Sequence, residues 1–107
     1  MNDPTNWKFQ FVEVRSASPY LKNTVETYEV KVPGAKEVAA YFEKFDTEVN
    51  YDTVQILNSA GEVVQTLSGN NDDLYSASVT GDTLKIIFKS DSSVEKSGWK
   101  ITRAAYR

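Results

Sequence analysis

The chain of 107 residues contains no cysteine and no histidine. Without cysteine it has no disulfide, no thiolate metal ligand and no thiol chemistry. Without histidine it lacks the commonest general base, the commonest metal ligand and the usual switch near neutral pH. A serine triad cannot be assembled from it alone. An excess of one charge is missing too. Twelve lysines and arginines against fifteen acids give a net charge of −3, and the basic residues form no stripe, which argues against a nucleic-acid partner. No apolar run approaches the ~20 residues that span a bilayer, so membrane insertion is not expected. No apolar leader follows Met1, which runs directly into Asn2, Asp3 and Pro4. Strand-like residues continue almost to Arg107. The expectation is one domain over residues 1–107, excised from a longer secreted protein.

What is present is alternation. Hydrophobic residues make up 40% of the chain, enough for a core in a domain of this size. Trp7, Phe9 and Phe11 alternate with polar residues, as do Val12 and Val14, which reads as a strand over about 7–14. Residues 16–23, with Pro19, read as a loop. Tyr28, Val30 and Val32 share a face and stop at Pro33-Gly34. Further period-two sets are Val38, Ala40 and Phe42; Val54 and Ile56; 63–67; Leu84, Ile86 and Phe88; and Trp99 with Ile101. Turn residues separate them at 58–61, 69–73 and 81–82. Residues 36–44 read as strand rather than helix because their neighbours are strands. The spacing predicts an all-β, antiparallel two-sheet sandwich whose alternating apolar residues are core.

Three acids sit beside loops rather than on an alternating face: Glu48, Asp52 and Asp91. Calcium takes six to eight hard oxygen ligands at roughly 2.3–2.6 Å, and two loops at one end of a sandwich can bring such acids together. By pattern alone a solvated loop face is the ordinary explanation. Asp72 and Asp73, in a run of turn formers, read as an exposed loop tip. Trp7 and Trp99 sit at core-like positions, with Trp7 the better candidate for exposure as a sugar-stacking platform. Ser92 and Ser93 have no base beside them and read as loop residues.

A composite of separated elements adds to this. Residues 45–56 read Phe-Asp-Thr-Glu-Val-Asn-Tyr-Asp-Thr-Val-Gln-Ile, followed by Leu67-Ser68-Gly69. A final run spans 81–93 and closes on Gly98-Trp99; upstream stands Ser18-Pro19-Tyr20. Together, from Ser18 onward, these resemble the CUB domain family. The resemblance implies a jelly-roll sandwich without catalytic activity. It implies calcium held by Glu48, Asp52 and Asp91, with the Ser93 backbone carbonyl and water completing the shell. Tyr20 is then the phenol that supports Glu48 by a hydrogen bond. It further implies recognition of a partner, either a protein offering a basic side chain or a carbohydrate. The competing readings are a structural accessory domain of a secreted protease or hydrolase, and the receptor-binding tip of an adhesin. Animal members carry disulfides, whereas this cysteine-free frame looks like the CUB-like domains of bacterial secreted or surface proteins. An extracellular or cell-surface location follows, although a cytoplasmic multidomain setting also fits the missing cysteines.

Overall fold

The computed structural model describes residues 6–107. Among them are nine strands: β1 (Lys8–Arg15), β2 (Val25–Lys31), β3 (Glu37–Asp46), β4 (Thr53–Leu57), β5 (Val63–Leu67), β6 (Leu74–Tyr75), β7 (Val79–Thr80), β8 (Thr83–Lys89) and β9 (Gly98–Tyr106). They form two antiparallel sheets packed as a sandwich. One runs β1-β9-β3-β6 with β7 also on β3, and the other runs β2-β8-β4-β5. No described helix is long and apolar enough to cross a membrane. Every strand read from the alternation is present, and the 36–44 stretch falls on strand β3, Glu37–Asp46. The two-residue strands β6 and β7 have no alternation to reveal them, because period two needs several residues to register.

The inward residues interlock between the sheets. β8 buries Leu84, Ile86 and Phe88, and β4 buries Val54 and Ile56, while the residues between them stay partly exposed. From the other sheet come Val38, Ala40, Phe42, Phe45, Trp99 and Ile101. Trp99 meets Tyr28, Phe42 and Phe88 edge-on at centroid distances of 5.0, 5.9 and 6.2 Å, the geometry aromatic quadrupoles prefer. Each such side chain contributes about 1.5–3 kcal/mol on burial. Trp99 is thus core.

One expectation fails on β1. Phe9 and Phe11 are not core: they are 48% and 78% exposed. Alternation cannot tell which of two faces is inward, and here Val12 and Val14 pack against the core instead. A bulge between Phe11 and Val14 shifts the register against β9. Trp7, just before β1, is buried as its core-like position implies, though in a separate cluster with Ala39, Ala105 and Tyr75 rather than as an exposed platform.

One glycine is required by its surroundings. Gly98 opens β9 at φ 91°. A Cβ there would stand 2.9 Å from the Ala17 carbonyl oxygen and closer still to Ser16 Oγ. That hydroxyl accepts from the Trp99 amide at 3.1 Å, tying β1 to the start of β9.

Candidate metal centre

Three loops meet at one end of the sandwich: 16–24 after β1, 47–52 after β3, and 90–97 after β8. The 47–52 loop coils because the Glu48 carbonyl accepts from the amides of Tyr51 and Asp52, at 3.3 and 3.0 Å. Asn50 takes the left-handed conformation this needs, at φ 69°, which asparagine tolerates better than most residues. Thr47 pins both ends of the turn. Its hydroxyl donates to the Asp52 carbonyl at 2.8 Å and accepts from the Gly69 amide at 3.1 Å. The 90–97 loop is sewn to the first loop. The Asn23 amide donates to the Asp91 carbonyl at 2.8 Å, and Ser90 Oγ donates to the Leu21 carbonyl at 2.5 Å.

The result brings Glu48, Asp52 and Asp91 together, with one carboxylate oxygen from each lying within 4.8 Å of the others. Asp52 is wholly buried. Its Oδ2 accepts from the Tyr20 hydroxyl at 2.5 Å and its Oδ1 from the Asp91 amide at 2.8 Å. Tyr20 is itself buried and edge-on to Phe88 at 5.0 Å. Its role differs from the one expected. It donates to Asp52, and it reaches Glu48 only by accepting from that residue's amide, at 3.2 Å. Ser93 contributes its amide, which donates to Asp91 Oδ1 at 3.1 Å and orients that carboxylate.

The electrostatics of this end are unbalanced. No salt bridge among the described residues involves any of the three acids. Desolvation, then the charges of Asp91 and Asp52 and a hydrogen bond to Asp91, push the Glu48 carboxyl above its ordinary range; Lys96 only partly offsets them. Glu48 Oε1 is buried and has no hydrogen-bond partner. Burial, and then the bond to Asp52, raise the Tyr20 phenol to about 12, so it remains a donor at any physiological pH. A cluster made only of oxygen, with an orphaned buried carboxylate oxygen and mutual repulsion, fits a hard cation such as calcium.

Asp72 and Asp73 belong elsewhere, and they do more than face solvent. Asp72 Oδ1 accepts from the Phe45 amide at 2.7 Å, and Asp73 accepts from the Tyr41 hydroxyl, so both tie the 68–73 loop to β3. Thr47 lies within the 45–56 run, but nothing in that run marks it as the residue that ties the turn.

An antiparallel two-sheet β-sandwich with an acidic cluster where three loops meet is the class that fold and site define. The CUB domain family model matches residues 6–103, and the chain belongs to that family. CUB domains are generally protein-interaction modules and typically non-catalytic. The chain is 33% identical over 96 residues to the E3 ubiquitin-protein ligase HERC2 of Homo sapiens and equally to that of Mus musculus. That match covers 87% of the chain but spans only 2% of those relatives' length. Among solved structures, the MASP-1 CUB2 domain bound to Ca2+ is 25% identical, with a TM-score of 0.65 over 89% of both chains. The full extracellular region of zebrafish Gpr126/Adgrg6 shares the fold, with a TM-score of 0.74, 21% identity, and coverage of 90% of this chain and 14% of that one.

Proposed function

We propose that this chain is a calcium-dependent, non-catalytic recognition module of a longer protein, and that Glu48, Asp52 and Asp91 are its carboxylate ligands. The observation that carries the reading is the convergence of three carboxylates within 4.8 Å around a buried, unpartnered Glu48 oxygen. Calcium would supply the positive charge that lets these acids lie together, with the Ser93 carbonyl and water filling the remaining positions. The protein's own part is preorganisation. Tyr20 and the Asp91 amide hold Asp52, the Ser93 amide holds Asp91, and the turn on the Glu48 carbonyl aims Glu48 at both. The solved MASP-1 CUB2 domain with Ca2+ bound supports the same ion here.

Carboxylate oxygens ordered in this way present an acidic surface to a basic side chain of a protein partner, and we place that encounter outside the cell. Calcium affinity tests the location. Extracellular modules bind at about 10⁻⁴–10⁻³ M, whereas cytosolic sensors bind at about 10⁻⁷–10⁻⁵ M. Thermal melts test the ion. Calcium at 100 times its dissociation constant stabilises a native-only site by about 2.7 kcal/mol. For a domain of this size that raises Tm by roughly 10–20 °C over the chelator-treated protein. Coincident curves would remove calcium from the account.

A further inference from the structure

The outer face of the five-stranded sheet is unlike the polar solvent face expected of an antiparallel sandwich. Strand register places Phe11, Arg103, Tyr41 and Tyr75 in one rank across β1, β9, β3 and β6. In this rank Phe11 is 78% exposed. The Arg103 guanidinium carbon lies 4.3 Å from the centre of the Tyr41 ring and 6.0 Å from that of Phe9. Among the described residues Arg103 is in no ion pair, whereas Lys100 on the same strand pairs with Glu13 and Glu43, and Arg107 just beyond that strand pairs with Glu37. Stacking on Tyr41 fixes the guanidinium plane and leaves its N–H edge free. That edge is the donor pair that takes a carboxylate in bidentate fashion.

From this geometry we infer that the Arg103–Phe11 face is a second docking surface, and that its occupant is an acidic peptide segment. A carboxylate of the segment pairs with Arg103, and an apolar side chain beside it covers Phe11. A straight rank across strands ~4.8 Å apart suits an extended chain laid over the sheet. A second copy of the domain fits less well, because a two-fold contact centred here sets Arg103 against Arg103. None of the residues used belongs to the three loops of the acidic cluster, so the inference does not rest on the calcium reading.

The test is a nuclear magnetic resonance titration of the isotope-labelled domain in chelator. The probe is a short synthetic peptide alternating glutamate and leucine, compared with one alternating glutamine and leucine. The glutamate peptide should shift resonances on β1, β3 and β9, and the glutamine peptide should bind about tenfold more weakly or worse. Arg103→Gln and Phe11→Ser should each lower affinity by about tenfold. Phe11 is exposed, so its replacement leaves the fold intact. Lys85→Gln, on β8 of the other sheet, should leave peptide binding unchanged. Absence of shifts, equal binding of the two peptides, or full binding by Arg103→Gln overturns the inference. So does sedimentation showing a wild-type dimer that Phe11→Ser converts to monomer, since the face would then belong to a second copy.

Discussion

Asp52 has no exposed surface, yet both of its carboxylate oxygens are engaged, one by the Tyr20 hydroxyl and one by the Asp91 amide. Removing the group therefore has two separable effects. Asp52→Ala should abolish calcium binding and also destabilise the calcium-free domain by about 1–3 kcal/mol, because buried donors lose their acceptor. Asp52→Asn, which keeps the shape, should abolish binding with a smaller cost; denaturant melts in chelator read the difference. Tyr20→Phe should weaken calcium binding less than loss of any carboxylate does, and cost about 1.5–3 kcal/mol, because the hydrogen bond it removes is made to a charged group. Gly98→Ala should destabilise the fold and strain the start of the 16–24 loop. It forces a side chain into φ 91° and against Ser16 and Ala17, strains of about 1–2 and 1–3 kcal/mol.

At the scale of elements, the loops carry the proposed calcium ligands and were the harder part to read. The sequence shows that Glu48, Asp52 and Asp91 flank strands, but spacing alone does not bring residue 91 to residue 52. That closure depends on the Asn23–Asp91 and Ser90–Leu21 bonds between loops far apart in sequence. The family resemblance named Tyr20, though not its bond to Asp52, since the direction of a phenol is set by packing against Phe88. On β1 the alternation was visible, but the choice of inward face was settled by the bulge and by competition from Val12 and Val14. The loop also has a pH signature. The Glu48 carboxyl is raised, so its protonated form suits the fold. Stability in chelator should be greatest from this group below its ordinary pKa and fall as pH rises through the raised value. Comparison of wild type with Glu48→Gln isolates that slope, which Glu48→Gln should lack. Calcium affinity should fall over the same window as pH drops, because protons and the ion compete for one oxygen.

Taken whole, the molecule divides a core legible from period-two patterning from a loop end that patterning does not describe. Alternation located the strands because each antiparallel sheet buries one face. It is silent on which strands pair, since the order β1-β9-β3-β6 joins residues from both ends of the chain. The buried Tyr20 phenol and the partly buried Tyr28 phenol, each raised to about 12, add an alkaline limit. Their contribution to stability is full below pH 10 and is lost as pH rises through about 12. Phenolate absorbance followed alongside unfolding should show these two ionising with the fold's collapse. The central claim, that the three joined loops form one calcium site, is tested most directly by calorimetric titration of calcium into the metal-free domain and its Asp91→Asn and Asp72→Asn variants. The account predicts a single site in the wild type, its loss in Asp91→Asn and its retention in Asp72→Asn. Binding that survives Asp91→Asn but disappears with Asp72→Asn would contradict it.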